Sequence, residues 1–104
     1  MRILFVCTGN TCRSPMAEVI ANAVFKNNGM DACAFSRGIF AESGMPASEY
    51  AKLAVKNYGL SLEEHRACQL TESDIKEADL ILTMTASHKR MLEKNMSCRK
   101  IIYP

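Results

Sequence analysis

The chain has 104 residues, 48% hydrophobic and 23% charged, a balance that excludes a disordered or low-complexity segment and fits one folded domain. Thirteen basic against eleven acidic residues give a net charge of +2 with no run of like sign, too little for a nucleic-acid or membrane-surface binder. Residues 3–6 are too short a run for a signal peptide's apolar core, no stretch could span a bilayer, and the five cysteines are odd in number, so free thiols in a reducing cytoplasm are expected.

In chain order, residues 3–6 read as a strand buried on both faces. A helix is expected to start at Ser14 as its cap, with Pro15 in the first helical position, and to turn Ala17, Ile20, Ala21 and Val24 inward before Asn27-Asn28-Gly29 ends it. Residues 32–35 form a second strand in which Cys33 is a small buried hydrophobe. Ala47, Ala51, Ala54, Val55 and Tyr58 trace a helical face that stops at Gly59, and Thr71-Glu72-Ser73-Asp74 has the form of a capping box for a short helix. A strand over residues 80–84, a helix over 87–94 and a strand over 100–103 complete the set, with His88, beside Lys89 and Arg90, on the surface. The alternation predicts a three-layer α/β fold, a central four-stranded parallel sheet flanked by helices, in a single domain over residues 1–104. Ligands in such sheets bind beyond the carboxyl ends of the strands, which here means the loop after the first one.

That loop, Cys7-Thr8-Gly9-Asn10-Thr11-Cys12-Arg13, separates a cysteine from an arginine by five residues between a strand and a helix N-terminus. A tight turn there aims successive backbone N–H groups at one point, and the helix dipole adds positive field, so a phosphate-sized dianion fits. Arg13 supplies a planar fork for two phosphate oxygens, and Cys7 sits beneath the phosphorus, in a field that favours thiolate. A cysteine and an arginine at this spacing also occur by chance in ordinary turns; the strand before, Gly9 and Asn10 within, and the proline-started helix after are what strengthen the signal. No nucleotide P-loop or dinucleotide fingerprint is present, and Cys7 and Cys12 have no second ligand pair, so a zinc site is not expected.

Residues 6–18, from Val6 through Arg13-Ser14-Pro15 to Glu18, resemble the signature of the low-molecular-weight protein tyrosine phosphatase family, and within it most resemble bacterial protein arginine phosphatases. The similarity continues through Ser36-Arg37-Gly38, residues 65–71 and residues 78–85, and so covers nearly the whole chain. It implies hydrolysis of a phosphorylated protein side chain through a phosphocysteine and with no metal or organic cofactor, Cys7 being the nucleophile and Arg13 binding phosphate and stabilising the transition state. Thr8, Gly9, Asn10, Thr11 and Cys12 match the phosphate-binding loop, Ser14 the hydroxyl that eases departure of the nucleophile, and Asn10, Ser36 and His65 a group that holds the loop in shape. On residues alone His65, next to Glu63, Glu64 and Arg66, reads as surface. Thr11 stands where phosphotyrosine-directed members resemble one another in a bulky aliphatic residue, so the resemblance favours phosphoarginine; a plain spacer is the other reading. Cys12 is either a redox partner that traps oxidised Cys7 as a reversible disulfide or a packing residue.

One departure stands out: the family carries its general acid in an Asp-Pro pair beyond the fourth strand and adds a further helix, whereas no Asp-Pro pair occurs here and the sequence given stops at Pro104. The expectation is a domain lacking the acid loop and last helix, which loses the roughly 10²- to 10⁴-fold contribution of general acid catalysis and exposes a sheet face to self-association. Three functions compete: a phosphoprotein phosphatase preferring phosphoarginine over phosphotyrosine, a phosphate-binding module that turns over slowly, and an arsenate reductase, ranked last because, although Cys68 and Cys98 exist, no cysteine stands after the third strand at the place where its redox relay would start.

Overall fold

The structure, a computed structural model, describes residues 1–95 and 102–103. Strand β1 (Arg2–Cys7) is followed by α1 (Arg13–Asn27), β2 (Cys33–Gly38), α2 (Glu49–Lys56), α3 (Glu72–Glu77), β3 (Leu80–Thr83), α4 (Ala86–Asn95) and β4 (Ile102–Tyr103). The sheet is parallel, in the order β2-β1-β3-β4. Three strands lie within residues 1–95, and the fourth is a two-residue pairing with β3 in place of the expected 100–103, whose first two residues lie outside the described residues.

The chain moves outward from β1 to β2 and then crosses back to β3, so right-handed crossovers send α1 to one face of the sheet and α3 and α4 to the other. The turning point lies between β1 and β3, the place where open parallel sheets of this kind bind ligands at the carboxyl ends of the strands. Register places Val6 opposite both Arg37 and Thr83, which levels the three strand ends around the loop after Cys7.

Leu4 and Val6 are fully buried and pack with Phe35, Ile75, Ile81 and Leu92 in the larger core cluster. Burial of each such side chain stabilises by about 1.5–3 kcal/mol. A second cluster joins Ala47, Ala51, Val55 and Leu62 to Cys12, Met16 and Val19, fixing α2 against α1. Ala47, Ala51 and Val55 are therefore inside as their spacing predicts, whereas Tyr58 lies beyond the helix and is exposed. The capping box forms: the Thr71 hydroxyl accepts from the Asp74 N–H and the Asp74 carboxylate from the Thr71 N–H.

Helix α1 departs from its predicted form. It begins at Arg13 with Cys12 as cap and no side-chain capping bond, so Ser14 is not the cap, and Pro15 takes the third helical position, where an N–H has no partner within the helix. Ile20 and Val24, expected inside, are 43% and 48% exposed. The stripe that meets the sheet is polar instead: Ser14, Glu18 and Asn22, four residues apart, face the loop and β2. Asn22 exchanges two hydrogen bonds with the backbone of Ala34, at 2.7 and 3.0 Å, satisfying groups on a strand that lies at the edge of the sheet. Cys33 is likewise exposed rather than buried, because β2 extends to Gly38 and its buried stretch is shifted to Ala34, Phe35 and Ser36.

Candidate active site

Asn10 is the pin of the loop. It is fully buried at φ 58°, the left-handed region that asparagine tolerates better than most residues. Its amide Nδ2 donates to Ser14 Oγ at 2.9 Å and to Ser36 Oγ at 3.0 Å, and its Oδ1 accepts from the Cys68 N–H at 2.9 Å. Its carbonyl accepts from His65 Nε2 at 2.8 Å, so the segment after α2 grips the loop from outside. His65 is thus placed against the loop, not free on the surface.

Donor directions in this network follow from chemistry. An amide nitrogen only donates, so Ser14 and Ser36 accept from Asn10 and their own protons are free. Ser36 donates to Glu18 at 2.7 Å. Ser14 is left to donate to Cys7 Sγ, 2.8 Å away, and the Asn10 backbone N–H reaches the same sulfur at 3.3 Å. Two donors thus converge on a buried thiol at the floor of the loop, and both match a sulfur that carries negative charge, as attack and departure require.

The strand end fixes the first half of the loop: the Ile39 N–H donates to the Cys7 carbonyl and the Phe40 N–H to the Thr8 carbonyl, both at 2.9 Å. Gly38 is where this wall comes closest. A Cβ there would lie 2.6 Å from the Thr8 carbonyl oxygen and 3.0 Å from the Asn10 nitrogen, both backbone atoms of the loop. Gly38→Ala is therefore expected to push the loop out of shape, lowering stability by about 1–3 kcal/mol and weakening inorganic phosphate binding, as thermal denaturation and phosphate titration of the same variant will read.

Arg13 is exposed at the start of α1, and among the described residues no carboxylate pairs with it. Thr11 is held by its carbonyl, which accepts from the Ser48 N–H at 2.8 Å, and its Oγ1 would stand 3.8 Å from a Cβ on Gly9. Cys12 packs against the α2 cluster, and Cys7, Cys12, Cys33 and Cys68 are free thiols. Cys98 lies outside the described residues. Among the described residues no helix is long and apolar enough to cross a membrane.

His88 overturns its surface assignment. It is 8% exposed, with Nε2 2.9 Å from Thr8 Oγ1. The reason is topological: β3 neighbours β1, so the first turn of α4, capped by Thr85 Oγ1 on the His88 N–H at 3.1 Å, abuts the phosphate loop. Burial, and then the charge of Arg13, push its imidazole below the ordinary value. Glu18 was also missed, although its place four residues after Ser14 puts both on one side of α1.

A thiol held by donors at the floor of a loop that opens beside an unpaired arginine defines the class of cysteine-dependent phosphatases. Comparison with known proteins narrows it: the family model for low molecular weight phosphotyrosine protein phosphatase matches residues 2–102, and the chain belongs to that family. The low molecular weight protein-tyrosine-phosphatase PtpB of Staphylococcus aureus is 45% identical over 99% of this chain, which spans 70% of that relative. A crystal structure of a low molecular weight protein tyrosine phosphatase from T. tengcongensis is 55% identical over 91% of this chain and 65% of that one, with a TM-score of 0.89. YwlE arginine phosphatase, in a mutant with a phosphorylated active-site serine, is 36% identical over 99% of this chain and 68% of that one, with a TM-score of 0.94.

Proposed function

We propose that this chain hydrolyses phosphorylated protein side chains, phosphoarginine in preference to phosphotyrosine, through a phosphocysteine at Cys7. In the first step the Cys7 sulfur attacks phosphorus, an S–P bond forms, and the P–N or P–O bond to the side chain breaks with its electron pair leaving on nitrogen or oxygen. In the second, water attacks phosphorus and sulfur departs as thiolate, receiving the Ser14 hydrogen bond. Arg13 holds two equatorial oxygens throughout, where charge develops. The observation that carries the reading is the pair of donors on Cys7 Sγ at 2.8 and 3.3 Å, in a loop pinned from three sides. Phosphorylation of the active-site serine in the YwlE mutant supports attack from this position. Cys12, five residues along the same loop, is proposed as the thiol that condenses with an oxidised Cys7 and spares it further oxidation.

Thr11 carries the choice of substrate. Its hydroxyl lies over Gly9 and offers a polar partner to a guanidinium entering the loop, where an aliphatic side chain would desolvate that group without compensation. The names of the S. aureus and T. tengcongensis relatives favour phosphotyrosine as the second reading. Kinetics on phosphoarginine and phosphotyrosine peptides of one sequence decide between them. The parent chain should show the higher kcat/KM on phosphoarginine, and Thr11→Ile should lower the phosphoarginine-to-phosphotyrosine ratio by about tenfold, the worth of one unsatisfied polar group. A parent ratio below one, unchanged by the substitution, would leave the phosphotyrosine reading standing.

A further inference from the structure

His88 belongs to none of the roles assigned so far, yet it reaches into the loop from the opposite side of the sheet junction. Its ring is more than nine-tenths buried, Nε2 touches the hydroxyl of Thr8, and Nδ1 is buried with no hydrogen-bond partner among the described residues. Thr8 itself is exposed at the mouth of the loop, immediately after the nucleophile. A buried histidine therefore holds the hydroxyl of an exposed residue.

The orphaned nitrogen selects the tautomer. A proton on Nδ1 would leave a buried N–H with nothing to accept it among the described residues, whereas a lone pair left unsatisfied there is the lesser cost. The imidazolium form would carry that same unpaired N–H and add positive charge beside Arg13, which approaches from α1. Lys89 and Arg90 flank His88 in sequence, and the residues leading to it from β3, Thr83 to Ser87, carry no charge, so no carboxylate from these segments offsets a second cation. Burial and Arg13 both lower the tendency to protonate, which leaves the ring neutral at pH 7 with its proton on Nε2. The proton on Nε2 then points at Thr8 Oγ1, which accepts it, and the hydroxyl's own proton must go elsewhere.

We propose that His88 is a positioning residue of the phosphate loop: by donating Nε2–H to Thr8 Oγ1 it turns the Thr8 hydroxyl proton out to the mouth, where it donates to an oxygen of a phosphoryl group bound above Cys7. The proposal rests on the phosphatase reading of the loop, and it adds a donor that lies outside the ring of backbone N–H groups and Arg13.

The test uses the whole chain, with inorganic phosphate as probe for binding and a small aryl phosphate for turnover. His88→Ala and Thr8→Val should each weaken phosphate binding and lower kcat/KM by about tenfold, one hydrogen bond to a charged acceptor. The double variant should lose no more than either single one, because the two residues act as one donor. His88→Gln, which can place an amide N–H near the position of Nε2, and Thr8→Ser, which keeps the hydroxyl, should restore most of the loss. Nitrogen NMR of the unaltered chain at pH 7 should show His88 protonated at Nε2 and bare at Nδ1, an arm that does not depend on any variant folding. Additive losses, unchanged binding in a folded Thr8→Val variant, or a proton found on Nδ1 would overturn the proposal. Parent protein that fails to bind phosphate at all would bring down the phosphatase reading with it, whereas variants that match a phosphate-binding parent would remove only the role of His88.

Discussion

Cys7→Ser is expected to reduce hydrolysis of a small aryl phosphate to the uncatalysed background while leaving inorganic phosphate bound within a few-fold of the parent affinity. The two outcomes separate because the loop divides its work. On the proposed reading, binding comes from the backbone N–H groups, the start of α1 and Arg13, none of which the substitution touches. On the proposed mechanism attack comes from the sulfur. A serine in its place, even if phosphorylated once as the active-site serine of the YwlE mutant is, would have to leave phosphorus as an alkoxide, too poor a leaving group for turnover to follow. Steady-state assay beside calorimetric phosphate titration gives both quantities on one preparation. Turnover near the parent rate would mean that another group forms the covalent bond.

The order of elements was readable because each depends on local chemistry: an apolar run for β1, a capping box at Thr71 for α3, small apolar residues at helical spacing for α2. The cysteine and arginine of the loop could be proposed as a site for the same reason, since both lie within one short segment. What escaped depends on which strands become neighbours. His88 is 80 residues from Thr8 and meets it only because β3 pairs with β1 while β2 pairs with the other edge of β1. Nothing in the local composition of Ser87-His88-Lys89-Arg90 reports that adjacency.

The misreading of α1 has a different cause. Periodicity assigns the apolar stripe to the inside on the premise that helices bury hydrocarbon against a sheet. Here the inner stripe serves the loop and the edge strand, with Ser14 on Cys7, Glu18 on Ser36 and Asn22 on Ala34, so Ile20 and Val24 are turned outward. Local rules fail where a helix carries the site's hydrogen bonds in place of part of the core.

Asn10→Ala should cost both the fold and the chemistry, and comparison with Asn10→Gly separates two contributions. Alanine removes the amide that donates to Ser14 and Ser36 and accepts from the Cys68 N–H, leaving buried polar groups without partners at about 1–3 kcal/mol each. It also places a Cβ-bearing residue with no compensating local bond at φ 58°, a further 1–2 kcal/mol or so that glycine does not incur. Against a total stability on the order of 5–15 kcal/mol, the alanine variant should melt well below the parent, with glycine between them. Activity should fall in both, by about a hundredfold, since Ser14 loses the donor that orients its hydroxyl toward Cys7 and the loop N–H groups lose their fixed aim. Thermal denaturation of the three proteins, with kcat/KM on an aryl phosphate measured well below the lowest melting point, reads both terms. Equal melting of the alanine and glycine variants would show that the left-handed backbone at Asn10 is unstrained, and parent-like kcat/KM in either would show that the loop keeps its shape without its pin.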